Sequence, residues 1–381
     1  MMEESFRESL SGQLTLERLR NSVQNLARVE SIRLLDRNYH PTVEFTIDLE
    51  GRDSEAFFAE IERRFRELGY TPALQQREGE QLLVAHPGVV EDRRGRPWVN
   101  ALLFLLTLLS VIFIGSLNAG GNPFERLSDL GRGLPFAGTL LGILTAHELS
   151  HYFVGRRYGS PVSLPYFIPL PFNILGTMGA VITQKGPMRS RKALFDIGIA
   201  GPLGGIIVAI PLLFVGLHLS TVEPFPTGEP YYMEGNSLLY FLAKWIVFGR
   251  PLPSGGVDVM LHPVAFAAWA GLMVTALNLF PVGQFDGGHI TYAMFGKKAW
   301  TLARIFVGIM FGWGFVLVFQ GNDAGWTWIV WAGLSSLMGA RHPAPLDDVT
   351  PLDPLRRRVG WGIVVLFILI LVPIPLTLVT P

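Results

Sequence analysis

Apolar residues follow two different patterns along this 381-residue chain, and the change comes near Pro97. Before that point, apolar and polar residues alternate over residues 41–49 as in a half-buried strand, and residues 80–88 form a second candidate strand. Residues 54–69 instead repeat their apolar positions at helical spacing and end at a glycine. The apolar face of this predicted helix consists of Phe57, Phe58, Ile61, Phe65 and Leu68. Residues 1–96 therefore predict a small soluble α+β domain.

After Pro97 the apolar residues form long runs, to be compared with the ~20 residues that a helix needs to cross the hydrocarbon core of a bilayer. Seven runs are candidate spans, and the sixth is short. They cover residues 98–117, 134–155, 195–217, 262–282, 299–319, 326–339 and 359–379. We therefore expect residues 97–381 to form a polytopic α-helical membrane domain with six to seven transmembrane helices.

The positive charges between these runs indicate an orientation, because Lys and Arg are enriched in cytoplasmic loops. If the basic residues before Pro97 are cytoplasmic, then every second boundary is cytoplasmic, and those boundaries hold most of the basic residues after Arg77. They are Arg93, Arg94, Arg96, Arg156, Arg157, Arg189, Arg191, Lys192, Lys297, Lys298, Arg341 and Arg356 to Arg358. We expect a cytoplasmic N-terminus and an outer C-terminus. The C-terminus changes sides if the sixth run re-enters the membrane instead of crossing it.

The segment between the second and third runs is apolar, yet it contains four prolines before Lys185 and cannot form a regular helix. Irregular backbone at membrane depth survives only where it is buried in protein or lines a watery cavity. One interpretation is a cytoplasmic loop that lies on the membrane. The other is a membrane-embedded strand or hairpin that includes residues 179–184 and pairs with an unwound substrate strand.

The composition supports membrane insertion, since 49% of the residues are hydrophobic, 16% are charged and the mean hydropathy is +0.36. The net charge is zero, so nothing indicates nucleic acid as a partner, and the absence of cysteine excludes disulfides and thiol chemistry. Neither a secretory signal nor a transit peptide is evident at the N-terminus. We therefore expect a multi-pass protein, in a bacterial inner membrane rather than an organelle membrane.

The second run contains the motif His-Glu-Leu-Ser-His at residues 147–151. Histidines four apart share one helix face and can bind one metal ion, while Glu148 lies beside them as a general base for hydrolysis. Ionisable residues within a membrane span are costly and indicate a functional site. The alternative is a cytoplasmic helix end at which these side chains merely meet water.

A tetrahedral zinc with two imidazoles and a water needs a third protein ligand. No glutamate follows Glu148 until Glu223, and Glu223, Glu229 and Glu234 fall in the predicted outer loop, as does Asp258. Asp196 is a candidate, but it can also be a helix-start residue. Asp286 lies in a Pro- and Gly-rich break at the cytoplasmic end of the fourth run, level with the histidines, and is the preferred ligand; its alternative is a turn aspartate.

These two motifs, with Asn278 and Pro281 before Asp286-Gly287-Gly288, resemble the site-2 protease family of intramembrane zinc metalloproteases. The resemblance implies one zinc ion bound by His147, His151 and Asp286, with Glu148 as catalytic base and Asn278 in contact with substrate or with a tetrahedral intermediate. It extends to the glycines of residues 198–205, for which ordinary helix packing is the preferred interpretation. His289 lies near Asp286 and either supports the metal ligands or is a polar loop residue, and the latter is the preferred interpretation.

The chain also departs from better-known family members. Residues 218–261 hold no convincing series of strands, so no PDZ module is expected between the catalytic spans. Residues 340–358 resemble the branch with plant-chloroplast and cyanobacterial members.

Three functions compete. The first is an endopeptidase that cuts transmembrane or membrane-inserted protein segments near the cytoplasmic face. The second is a metal-ion transporter or metal-binding channel with the same ligands, against which Glu148 counts because a transporter has little need of a carboxylate that is not a ligand. The third is an inactive scaffold, which the presence of all the required residues disfavours. The N-terminal domain is a possible docking surface for a regulator or substrate.

Overall fold

The computed structural model describes residues 2–36, 41–89, 95–226, 228, 230–337, 339 and 341–379, and the side chains of residues 2–12 are outside this description. Among the predicted features, Arg93, Arg94, Glu229 and residues 338 and 340 lie outside the described residues. The chain divides into two compact units. The first contains Met1–Arg93, Lys185–Leu194 and Pro343–Asp353, and the second contains Arg94–Gln184, Phe195–His342 and Pro354–Pro381.

The first unit is built on an antiparallel four-stranded sheet with a helix against one face. Its helices are α1 (Met2–Gln24) and α2 (Ser54–Glu67), and its strands are β1 (Arg28–Leu34), β2 (Val43–Asp48), β3 (Tyr70–Arg77) and β4 (Glu80–Pro87), in the order β1-β2-β4-β3. The predicted strands correspond to β2 and β4, and the predicted helix corresponds to α2. Of its predicted apolar face, four residues are buried, and Leu68 packs against the core from a half-buried position.

Two segments from later in the chain extend this sheet, which the sequence did not predict. The backbone N–H of Leu74 in β3 donates to the carbonyl of Leu346 at 2.6 Å, and the N–H of Leu346 donates to the carbonyl of Met188 at 2.8 Å. Leu346 also packs against the apolar core of the first unit. The division at residue 96 stays a prediction, and the first unit also contains residues 185–194 and 343–353.

The second unit is mainly helical. Its helices are α3 (Pro97–Asn118), α4 (Leu134–Arg157), α5 (Arg191–His218), α6 (Leu238–Phe248), α7 (Pro263–Asn278), α8 (Asp286–Phe295), α9 (Ala299–Phe319), α10 (Ala324–Leu337) and α11 (Pro354–Ile370). Within the described residues, three helical stretches are long and apolar enough to cross a membrane: α3, α5 and the stretch Asp286–Phe319. Exposed apolar side chains on α3 and α9, such as Leu109 and Ile309, are suited to contact with lipid.

The other predicted spans fall on helices that do not meet this criterion. The helix α4 has 24 residues, but it includes His147, Glu148, His151 and two arginines, which lower its hydropathy. The helices α7, α10 and α11 have 16, 14 and 17 residues. The prediction of a helix to residue 379 is wrong: α11 ends at Ile370, because Pro373 and Pro375 cannot continue a helix. The number of spans therefore stays a prediction.

Residues 218–261 form short strands, although the sequence shows no convincing series of strands there. This segment contains β7 (Thr221–Pro224), β8 (Tyr231–Glu234) and β9 (Val257–Met260). The strand β7 pairs with β9, and β8 pairs with β10 (Leu376–Val379). Each of these strands has only four residues, which is too short for an alternating pattern to be recognised.

A hairpin of β5 (Tyr166–Pro169) and β6 (Thr177–Val181) occupies the proline-rich segment between α4 and α5. Polar side chains of the otherwise apolar helix α3 bind its backbone. Asn100 donates to the carbonyls of Leu164 and Pro165 at 3.0 and 2.9 Å, and Ser110 donates to the carbonyl of Gly176 at 2.6 Å. Three backbone carbonyls of this segment are therefore satisfied by side chains of α3.

Candidate metal centre

The two histidines of the motif lie on one face of α4, and both are buried. Only 3% of His147 and 4% of His151 are exposed. Their Nε2 atoms are 3.2 Å apart, which follows from the four-residue spacing on a helix. The motif therefore presents two imidazole nitrogens at one point in the interior of the second unit.

Asp286 reaches the same point because the chain reverses sharply between α7 and α8. Asp286 is the first residue of α8, after a break that contains Pro281 and Gly283. A Cβ atom at Gly287 would lie 2.0 Å from the carbonyl oxygen of Leu279, and one at Gly288 would lie 2.4 Å from that of Gly283. The two glycines after Asp286 thus allow the start of α8 to pack against the end of α7.

The structure brings His147, His151 and Asp286 together into one group. Nε2 of His147 lies 3.1 Å from Oδ2 of Asp286, and Nε2 of His151 lies 3.2 Å from Oδ1. The candidate ligand atoms all lie within 4.8 Å of one another, and no other such group occurs among the described residues.

These separations fit a zinc ion. Two atoms that each bind a tetrahedral zinc at about 2.0 to 2.1 Å lie about 3.3 Å apart. The separations of 3.1 to 3.2 Å between the ligand atoms are close to this value. Two neutral imidazoles and one carboxylate are also a donor set that zinc prefers and leave a fourth position for water or substrate.

The helix α5 orients His151 from the side opposite the metal position. Nδ1–H of His151 donates to the backbone carbonyl of Ile197 at 2.7 Å, and this hydrogen bond leaves the Nε2 lone pair free for a metal. A Cβ atom at Gly201, one turn later, would lie 2.0 Å from Nε2 of His151. Gly201 therefore leaves room for the metal-binding nitrogen itself. At Gly204 the preferred packing interpretation holds, since a Cβ there would lie 2.1 Å from Oγ of Ser150 on α4.

Glu148 and Asn278 lie beside the group without belonging to it. Glu148 is 4% exposed, and its carboxylate lies near the backbone of Ile182, directly after β6. Asn278 is the last residue of α7, and its Nδ2 lies 3.3 Å from Nε2 of His147. All five residues predicted for the site are therefore close together, and their individual roles stay predictions.

The alternative ligand Asp196 is engaged elsewhere. The Arg356 guanidinium donates to both of its carboxylate oxygens, at 2.8 and 2.6 Å, and the Tyr158 hydroxyl also donates to Oδ2. Burial, together with the hydrogen bond to this carboxylate, raises the pKa of Tyr158 above its ordinary value, so the phenol remains a donor. Asp258 binds the buried Lys244 at 3.2 Å.

His289 is not a polar loop residue, and that interpretation is wrong. It lies within α8, one turn after Asp286, and its Nδ1 is 2.5 Å from Nε2 of His342. His342 is buried, and its carbonyl accepts from the Trp300 indole at 3.2 Å. The sequence contains no local signal for this pair, because 53 residues separate its members.

A largely apolar cavity of about 370 Å³ has Asn278 in its wall. Its walls come from α4, α7, α10, the hairpin and the segment before β10, and they include Leu144, Met178, Trp269 and Trp331. Asn278 belongs both to this wall and to the surroundings of His147. Asn278 is therefore the residue that the cavity wall shares with the surroundings of the candidate metal position.

Comparison with known proteins identifies the family. Residues 135–319 match the model of Peptidase family M50. The chain is 34% identical over 248 residues to the "Probable zinc metalloprotease EGY1, chloroplastic" of Arabidopsis thaliana, which covers 63% of this chain and 43% of that protein. It is 32% identical to the protein of the same name from Oryza sativa subsp. japonica, over 72% of this chain and 50% of that protein.

A third relative, the "Probable zinc metalloprotease EGY2, chloroplastic" of Arabidopsis thaliana, is 29% identical over 73% of this chain and 49% of its own length. The chain thus spans about half the length of the curated relatives it matches, or less. No solved structure shows a significant match. The predicted family is confirmed: the chain contains a Peptidase M50 domain of the site-2 protease type.

Proposed function

We propose that this chain, which contains a Peptidase M50 domain, is an intramembrane zinc metalloprotease that hydrolyses peptide bonds in transmembrane or membrane-inserted protein segments near the cytoplasmic face. One observation carries the proposal. A zinc-compatible group of His147, His151 and Asp286 lies buried among apolar helices, with a carboxylate beside it that is not part of the group. Hydrolysis requires such a carboxylate.

Zinc, when bound, polarises the scissile carbonyl and lowers the pKa of water toward about 7. Glu148 accepts a proton from the attacking water and returns it to the leaving amine. The backbone of Ile182 lies near the Glu148 carboxylate on the side of the hairpin. Burial excludes bulk water from the base and strengthens its electrostatic interactions with the reacting groups.

Asn278 stabilises the charge that develops on the substrate carbonyl oxygen. Its amide lies next to His147 and at the wall of the apolar cavity, so it faces both the metal position and the space for substrate. A side-chain amide in such a place acts as an oxyanion donor.

The substrate is an apolar segment that unwinds next to the hairpin. A peptide carbonyl in an intact helix is already hydrogen-bonded and poorly exposed to attack, so the substrate must become extended locally. The strand β6 offers backbone for pairing with such a strand, as in recognition by strand addition. The cavity of about 370 Å³ then accepts its apolar side chains.

The transporter alternative receives no support from the comparisons, since the relatives described above are named as zinc metalloproteases. We retain as proposals a multi-pass arrangement with a cytoplasmic N-terminus and a bacterial inner membrane as location, whereas the relatives are named as chloroplastic. Docking of a substrate or regulator on the first unit is likewise proposed.

The test uses the full chain in proteoliposomes together with a designed membrane-spanning peptide. We expect cleavage of a peptide bond inside or next to the apolar segment, located by mass spectrometry of the products. A chelator should abolish cleavage, and added zinc should restore it. Protein that binds no zinc contradicts the proposal. Zinc uptake into sealed vesicles, without cleavage of any of a panel of such peptides, would favour transport.

A further inference from the structure

A three-residue polar cluster joins the ends of three helices in the second unit. The Arg356 guanidinium binds the Asp196 carboxylate with two parallel hydrogen bonds, Nε to Oδ1 at 2.8 Å and Nη2 to Oδ2 at 2.6 Å. The Tyr158 hydroxyl donates to Oδ2 of the same carboxylate. We call Tyr158, Asp196 and Arg356 the Asp196 cluster.

Two members of the cluster lie on or next to elements that build the metal centre. Tyr158 directly follows α4, which carries both histidines, and Asp196 lies in the second turn of α5. Arg356 lies in the first turn of α11. A bidentate arginine–carboxylate pair fixes the relative direction of its two partners as well as their distance. The pair thus fixes the start of α5 against the start of α11, and the Tyr158 hydrogen bond joins the same carboxylate to the end of α4.

The stability of the fold does not by itself account for this cluster. The side chains of Arg356 and Asp196 are 29% and 22% exposed, and ion pairs that solvent reaches contribute little to stability. The geometry of the cluster is more informative than its energy, because Asp196 directly precedes the residue that contacts a metal ligand.

That residue is Ile197, whose carbonyl accepts the hydrogen bond from Nδ1–H of His151 at 2.7 Å. One turn further along α5, Gly201 lies against Nε2 of the same ring, where a Cβ would come within 2.0 Å. A small shift of α5 along or around its axis therefore moves the hydrogen-bond acceptor away and brings backbone toward the metal-binding nitrogen. The orientation of His151 depends directly on the register of α5.

We propose that Tyr158, Asp196 and Arg356 are positioning residues that hold α5 in the register at which the Ile197 carbonyl fixes the tautomer and direction of His151. Their effect on cleavage rests on the proposed protease function. Their effect on the His151 ring does not, since the ring is oriented by protein groups alone. Mutation of the partners that orient a histidine ligand typically lowers metal affinity by about 10- to 100-fold.

The test compares Asp196→Asn, Arg356→Lys and Tyr158→Phe in the full chain in nanodiscs. Each substitution nearly keeps the size of its side chain, and Tyr158→Phe removes a single hydroxyl in case the other two variants fail to fold. The matched control is Arg191→Lys, which alters another arginine–aspartate contact of α5, from Nε of Arg191 to Oδ1 of Asp348 at 2.8 Å. This contact leaves Asp196 untouched.

Two measurements separate orientation from stability. Nitrogen NMR of histidine-labelled, chelator-treated protein at alkaline pH reports the tautomer of His151, with a His151→Gln variant for assignment. Wild type and Arg191→Lys should show His151 as a single tautomer protonated at Nδ1, and the cluster variants should show a mixture. Competition with a chelator then measures zinc affinity, which should fall about tenfold or more in the cluster variants.

The outcomes are distinct. An unchanged tautomer and a zinc affinity within twofold of wild type in all three cluster variants overturn the inference, even if wild type cleaves its substrate. A mixed tautomer in the variants supports it, even if wild type proves not to be a protease. Equal losses in Arg191→Lys and in the cluster variants would show a general effect on α5 and would also overturn it.

Discussion

Replacement of Gly201 by alanine should remove zinc from the protein while the fold remains. The added Cβ would lie 2.0 Å from Nε2 of His151, 2.5 Å from Cδ2 and 2.6 Å from Cε1. Real Cβ atoms essentially never approach heavy atoms closer than 3.0 Å, so the ring or the helix must move by about 1 Å. Metal–ligand distances tolerate only about ±0.2 Å.

This displacement takes His151 out of the group of three ligands. Removal of a mere orienting partner weakens metal binding by about 10- to 100-fold, so displacement of a ligand should weaken it by more than about 100-fold, or about 2.8 kcal/mol. The ring can rotate away, so we expect the helical content to be kept. Zinc affinity is measured by competition with a chelator, and helical content by circular dichroism.

Gly142→Ala is the matched control. Gly142 lies on α4, five residues before His147, and a Cβ atom built there has no neighbour within 4 Å. This variant should bind zinc like wild type. If Gly201→Ala binds zinc with the affinity of wild type, then the position of Gly201 against His151 is wrong and the account of the α4–α5 contact fails with it.

Three further predictions concern other parts of the chain. Asn278→Ala should keep zinc and lower kcat by about 10²- to 10³-fold with little change in KM, measured by steady-state cleavage; loss of zinc instead would show a structural role. Asn100→Leu leaves the carbonyls of Leu164 and Pro165 without their donor and should destabilise the hairpin by about 1–3 kcal/mol. Hydrogen exchange of the hairpin amides should become faster, and unchanged exchange would refute this prediction. Burial raises the pKa of Asp347, so ionisation of this carboxyl destabilises the first unit as the pH rises. Asp347→Asn should therefore slow the labelling of a cysteine placed at the buried Leu83, and slow it more at pH 8 than at pH 5. Slower labelling only at low pH would contradict this.

The sequence predicted the residues of the site because their chemistry is local or unusual. His147 and His151 have a spacing that only a helix converts into one face, and charged groups inside an apolar run are rare. Asp286 was indicated by elimination and by the glycines after it, at which an added Cβ would clash with the carbonyls of Leu279 and Gly283 in the break after α7. These features can be recognised in short stretches of the sequence.

The surroundings of the site could not be predicted, because they depend on backbone groups and distant pairs. Every peptide unit has a carbonyl, so nothing in the sequence marks the carbonyl of Ile197 as a partner of His151. Gly201 belongs to a segment whose other glycines serve ordinary helix packing. Arg356 and Asp196 are 160 residues apart, and no local pattern relates them. The four-residue strands and the two segments added to the N-terminal sheet were missed for the same reason, since long-range pairing specifies them.

The most direct test of the central claim is the combined measurement of zinc content and cleavage in Glu148→Gln. Glutamine has the shape of glutamate but cannot accept the proton, and Glu148 is not one of the three grouped ligands. We predict about one zinc per chain in wild type and in Glu148→Gln, cleavage by wild type alone, and neither zinc nor cleavage in Asp286→Ala. Cleavage by Glu148→Gln at the rate of wild type, or undiminished zinc in Asp286→Ala, would contradict the account.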